Sequence, residues 1–196
     1  MKSLQILFLL VSTLVGRQGY AQRHIKGQTA VSFTAGVVDN FPKFSSPHAP
    51  GSGYMGALDY VWYRKNERYW KASVSYMRKY YDAQTLAKPL VEQYWLSMDY
   101  VPRGFFTTHR WLYVAPTAGL YVGYEAVNRN QSNLAEGVIQ NKSTASIGPQ
   151  LGLEAEVYVG PSLAIVGGIT ERYIPFSEVS KFRTTGYIGI RYCFFR

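Results

Sequence analysis

The chain has 196 residues, 47% of them hydrophobic and 16% aromatic, with 18 Gly, 17 Tyr and a formal net charge of +9. That length suits one domain, and the aromatic and β-branched content excludes a disordered chain. The single cysteine, Cys193, excludes a scaffold stapled by internal disulfides.

The N-terminus reads as a targeting segment. Met1-Lys2 is a short positive start, Leu4 to Val15 is mostly apolar, and Gly19-Tyr20-Ala21 offers small residues at the positions a signal peptidase inspects. The apolar run falls short of the roughly 20 residues that a membrane-spanning helix needs. We therefore expect a signal peptide over 1–21 and a mature domain over 22–196. Its removal takes Lys2 and Arg17 away, and the charge falls from +9 to +7. A moderately basic exported protein can meet lipopolysaccharide, phospholipid or DNA, and charge alone does not choose among them.

From here the pattern has a period of two, which places alternate residues on opposite faces of a sheet. Over Ala30 to Val38, Val31, Phe33, Ala35 and Val37 oppose Ser32, Thr34 and Gly36. Over Tyr54 to Arg64, Leu58, Tyr60 and Trp62 share a face while Asp59 points the other way. Over Tyr69 to Met77, Trp70, Ala72, Val74 and Tyr76 oppose Lys71, Ser73 and Ser75. Over Gln93 to Tyr100, Tyr94, Leu96, Met98 and Tyr100 oppose Ser97 and Asp99, with Trp95 on the polar side. Trp111 to Tyr124 alternates less cleanly, as do Tyr54 to Arg64 and Leu163 to Tyr173. Thr144 to Tyr158 sets Ala145, Ile147, Leu151, Leu153, Ala155 and Val157 against Ser146, Gln150, Glu154 and Glu156. Leu163 to Tyr173 follows, and the chain ends GYIGIRYCFFR, where Ile188, Ile190, Tyr192 and Phe194 oppose Gly189 and Arg191. This makes about eight strands, each long enough to cross an outer membrane at a tilt. Pro116 and Pro149 fall inside two of them. Since proline cannot donate to a ladder, both must sit at a rim or a bulge.

The links alternate in length. Asp39 to Gly53 and Ala126 to Ser143 are long and polar, whereas Lys65 to Arg68 and Gly160-Pro161 are tight, as in barrels with extracellular loops and periplasmic turns. Val101 to His109, a longish link on the periplasmic side, departs from the trend. The apolar faces carry Tyr and Trp near strand ends, as interfacial girdles do. The polar faces mix Lys71, Asp99, Glu154, Glu156 and Arg191 with small residues, suiting the filled interior of an eight-stranded barrel. The alternative is the solvated face of a soluble periplasmic sheet protein.

Tyr187, Gly189, Tyr192 and Phe194 match the terminal signal through which barrels are read by their insertion machinery. The mature start QRHIKGQTAVSFTAG, the stretch GLYVGYEAVNRNQSNLAEG and the ending KFRTTGYIGIRYCFF resemble the TraO family of conjugative transposon proteins. The chain departs from the family pattern near Thr170 to Ser177, reading ERYIPFS in place of a Trp-Gly turn. The resemblance implies a conjugal transfer protein of the outer membrane, a structural or assembly component of a type IV secretion-like mating apparatus. It implies no catalytic residue.

The residues point away from chemistry. His24, His48 and His109 are scattered over the chain, whereas a nucleophile and its base need hydrogen-bond reach. One Cys with dispersed His has no metal-ligand spacing, and no phosphate loop or dinucleotide fingerprint is present. Glu154 and Glu156 read as lumen carboxylates paired with Arg or Lys. We expect an all-β, up-and-down, outer-membrane-type barrel, exported and non-enzymatic, with no cofactor. Its partners would be outer-membrane lipid and other mating-apparatus proteins, with oligomerisation allowed and no direct nucleic-acid contact. The loop carrying Asn128, Arg129, Leu134 and Gly137 is the candidate partner surface. The alternatives are a barrel for surface adhesion or envelope integrity and, less favoured, a lipid-modifying enzyme.

Overall fold

The computed structural model describes residues 24–39, 51–81, 90–107, 111–127, 144–177 and 181–194. The expected signal peptide, His48, His109 and the loop with Asn128, Arg129, Leu134 and Gly137 lie outside the described residues. The strands are β1 (Thr29–Val38), β2 (Gly51–Tyr63), β3 (Tyr69–Tyr81), β4 (Leu90–Val101), β5 (Phe105–Phe106), β6 (Leu112–Val127), β7 (Thr144–Tyr158), β8 (Leu163–Tyr173) and β9 (Phe182–Phe194). The described helix is a single 3₁₀ turn, Lys65–Glu67.

All pairings are antiparallel. Sequential strands pair as hairpins, β4 pairs with β6, and β9 returns to β1 over ten residues from Thr29↔Phe194 to Val38↔Thr185. Eight long strands thus close a barrel with no free edge, which satisfies their backbone groups without water. The short links after β2 and β7 share an end with β5 and the start of β1. At the opposite end, called the loop end, β1, β3, β6 and β8 finish and β2, β4, β7 and β9 begin.

The two-residue period sorts the side chains as the sequence predicts, and in the sense opposite to a soluble sheet protein. Ser32, Asp59, Lys71, Ser73, Asp99, Gln150, Glu154 and Arg191 point inward and are buried. Phe33, Leu120, Leu151 and Ile188 point outward with 62–65% of their surface exposed. In water such a continuous apolar exterior would aggregate. Outward aromatics border it at both ends. Trp62, Trp70 and Tyr100 stand directly opposite one another on β2, β3 and β4, and so do Tyr76, Tyr94 and Tyr124 on β3, β4 and β6. Their rings meet at 5.0 Å (Trp70–Tyr100) and 5.2 Å (Tyr76–Tyr94). From Trp70 to Tyr80, β3 runs roughly 33 Å along the strand, or roughly 25 Å of membrane depth at the usual tilt.

Both prolines occupy places where a ladder partner is missing. β4 and β5 together line β6, but Tyr100 faces Ala118 while Phe105 faces Val114, so five residues on one side span four on the other. Pro116 lies on β6 at that shift, a bulge that also explains the long link. Pro149 faces Leu120 of β6, while the pairing of β7 with β8 starts only at Gln150↔Arg172. Pro149 therefore sits where β7 runs past its pairing with β8 while remaining paired with β6.

The closing seam is tight. A Cβ on Gly189 would overlap the Phe33 carbonyl and Thr34 Cα of β1, and one on Gly36 would overlap Gly186 and Tyr187 of β9. We expect Gly189→Ala to destabilise the barrel by about 1–3 kcal/mol through overpacking. Gly160→Ala meets no atom within 4 Å and should stay within about 0.5 kcal/mol of wild type. Urea titration of the refolded barrel in detergent micelles measures both.

Candidate functional site

The interior of the barrel is the place where the sequence concentrates chemistry. Among the described strands, the charged residues pointing inward are Lys71, Lys79, Arg172, Arg183 and Arg191 against Asp59, Asp99, Glu125, Glu154 and Glu156, all buried. Five cations face five carboxylates on the strands, and Asp39, buried against Lys79 and Arg183 just past β1, adds a sixth carboxylate, so the chain's basic excess resides elsewhere.

In the half nearer the short turns, Arg191 is the hub. Its Nε donates to Ser32 Oγ at 2.8 Å, Nη1 to Glu156 Oε1 at 2.5 Å and Nη2 to Glu154 Oε1 at 2.7 Å. Glu154 also accepts from Tyr69 (2.8 Å), Lys71 (2.5 Å) and Tyr187 (2.9 Å). Lys71 Nζ lies 3.9 Å from Asp99, Gln150 Nε2 donates to Asp99 Oδ1 at 2.5 Å, and Arg172 Nε donates to Gln150 Oε1 at 2.7 Å. The network thus joins β1, β3, β4, β7, β8 and β9 across the barrel, perpendicular to the ladders. Burying ions costs several kcal/mol each, so such a network is tolerable only when its members are paired and hydrogen-bonded.

At the end holding the short turns, the mouth is stopped by aromatic rings and one histidine. Gln28 N donates to Ile25 O at 3.1 Å across a turn whose third residue, Gly27, has φ 88°, as a type II turn requires. This turn folds the chain back so that His24 enters the lumen. Its ring lies 4.4 Å from that of Tyr113, 4.5 Å from Tyr63 and 5.4 Å from Phe106. His24 Nε2 sits 2.6 Å from the Tyr158 hydroxyl and 3.2 Å from Glu156 Oε2. The Tyr113 hydroxyl accepts from Gly104 N (2.8 Å) and donates to Glu67 O (3.1 Å), pinning two turns to the stopper.

At the loop end, Asp39 Oδ2 accepts from Lys79 Nζ at 2.7 Å and Arg183 Nη1 at 3.1 Å, and Asp39 Oδ1 accepts from Thr184 N at 2.8 Å. Glu125 accepts from Gln93 and from Ser177. Between the two ends, the described residues leave a void of about 20 Å³ beside Asp59, Lys71, Asp99 and Arg172. That is room for about one water molecule.

The lumen residues named from the sequence, Lys71, Asp99, Glu154, Glu156 and Arg191, all meet in the central network. The four residues of the terminal motif divide between faces. Tyr187 points inward to Glu154 and Gly189 makes the seam, whereas Tyr192 and Phe194 point outward with rings 5.2 Å apart. Sequence reasoning missed His24 and Asp39, which lie outside strands and carry no periodic signal. It also stopped short of Lys79, Arg172 and Arg183, which extending the alternation along β3, β8 and β9 would have found. Tyr54, where the expected second strand starts, belongs to β2 and faces outward.

The model of the conjugative transposon protein TraO family matches residues 25–194. The chain belongs to the TraO family. No curated protein matches the sequence. Among solved structures, this TraO-family barrel is similar to Ail, the attachment invasion locus protein of Yersinia pestis, with TM-score 0.54 and 15% identity over 87% of this chain and 100% of that one. It is similar to a major outer membrane protein from Thermus thermophilus, with TM-score 0.54 and 16% identity over 85% and 99%. Neisserial surface protein A aligns with TM-score 0.52 and 15% identity over 84% and 96%. At these identities the likeness is one of fold, that of outer-membrane barrels.

Arg191→Met should cost about 3–5 kcal/mol of unfolding free energy in detergent micelles, because Glu154 and Glu156 lose their shared buried partner. Adding Glu156→Gln removes one of the orphaned charges. The double variant should therefore be more stable than additivity predicts by about 0.5–3 kcal/mol.

Proposed function

We propose that the chain is a non-enzymatic, non-conducting component of the conjugal transfer apparatus, seated in the outer membrane as a structural or assembly factor of a type IV secretion-like mating channel. The observation that carries this reading is a lumen filled by a network of paired charges inside an apolar exterior. A barrel so filled has no path for DNA, so its contribution lies on its rim, its loops and its lipid-facing surface. The TraO family relation supplies the process. The segment 1–21 would direct export and be cleaved. Tyr187, Gly189, Tyr192 and Phe194 would be read during insertion, and the loop with Asn128, Arg129, Leu134 and Gly137 would meet other apparatus proteins.

An in-frame deletion should abolish mating, and wild-type complementation should restore it. A chain truncated before Gly186 should fail to rescue and should leave the outer-membrane fraction, since β1 loses its closing partner. Undiminished mating in the deletion overturns the conjugation reading. In planar bilayers the purified barrel should show no steady conductance, and a persistent open current would refute the passive role.

A further inference from the structure

The lipid-facing surface holds a feature that a structural role does not require. Among outward-pointing residues of the described strands, the charged ones are Arg78, Glu92 and Glu171, all towards the loop end. Glu171 accepts from the Thr184 hydroxyl and Glu92 from the Tyr76 hydroxyl at 2.7 Å. Among the described residues Arg78 forms no ion pair, although Glu92 stands directly across from it on β4. Its guanidinium lies over the Tyr80 ring, 5.1 Å from the centroid, and shares a side-chain hydrogen bond with Tyr54, while its Nε has no partner among the described residues. Tyr54 flanks it on β2.

Two residues along β3 from Arg78, Tyr76 begins an open concavity of about 570 Å³ on the same outer surface, walled also by Phe33, Leu58, Val74 and Leu96 and opened by Gly56. Gly56 stands opposite Tyr76, so a ring on β3 borders a missing side chain on β2. A cation near an apolar recess, within a girdle of tyrosines, matches one class of molecule. A guanidinium prefers a phosphate, which it can hold through two parallel hydrogen bonds. The recess faces hydrocarbon, so its occupant is a hydrocarbon chain. We infer that Arg78 and the recess near it form a binding site for an anionic phospholipid, the guanidinium holding the headgroup, whose phosphate no choline cation offsets, and the recess an acyl chain. The inference rests on the proposed placement in a membrane.

Native mass spectrometry of the micelle-embedded barrel, with dimyristoylphosphatidylglycerol or dimyristoylphosphatidylcholine as probe, tests it. Wild type should hold the anionic lipid about fivefold more tightly, the contribution of one arginine near an anionic surface. Arg78→Gln should lose that preference while keeping the heat-modifiable gel mobility of a folded barrel. Arg64→Gln, at the opposite end, should keep the preference. Val74→Trp, filling the recess, should weaken both lipids. Equal binding of the two lipids by wild type, an unchanged preference in Arg78→Gln, or the same loss in Arg64→Gln overturns the site. Displacement of the lipid by millimolar inorganic phosphate also overturns it, because the recess would then be idle. Failure of wild type to enter micelles or bilayers as a folded barrel is a different result, and removes the membrane placement with it.

Discussion

Arg191 and the two glutamates it holds set the terms for the rest of the molecule. A narrow barrel must fill its interior, and here the filling is ionic rather than apolar. Glu154 accepts hydrogen bonds from β3 and β9 at once, and Arg191 reaches across the seam to Ser32 on β1. Ladder hydrogen bonds join only neighbouring strands. The lumen network joins strands that are not neighbours, and so resists flattening of the barrel and slippage of its register. Such a network tolerates little substitution, because each member left alone would be a buried unpaired charge.

The exterior obeys a simpler constraint. With no water to pair with, the outer surface carries apolar side chains between two rows of aromatics, and its few charges stand near the loop end. The glycines of the seam belong to the same economy of space. Gly36 and Gly189 let β1 and β9 approach where a side chain on either would collide with the other strand. Closure therefore depends on small residues at two places as much as on the ladder.

A filled lumen redirects the question of function. The His24 stopper, the central network and the Asp39 cluster succeed one another along the axis, and the described residues leave room there for about one water. What remains available to partners is the rim, the loops and the lipid face. TraO membership sets this in the context of conjugation, and Arg78 near its recess makes the surrounding membrane a further ligand.

Strand positions, most faces and the barrel class were legible in the sequence, because a period of two is a local property that five segments showed cleanly and three more weakly. The paired reading of Glu154 and Glu156 was legible for the same reason, since inward charges in a narrow barrel have only one another. The prolines were legible as demands for a rim or a bulge. Only the tertiary structure decided that Pro116 sits at the β4–β5 register shift, and that Arg191 bridges β7 and β1. Likewise it alone showed that His24 turns back into the mouth and that Asp39 receives Lys79 and Arg183. These contacts join residues up to 159 positions apart. They depend on strand register and closure, which are fixed by packing all eight strands together and leave no trace in any one segment.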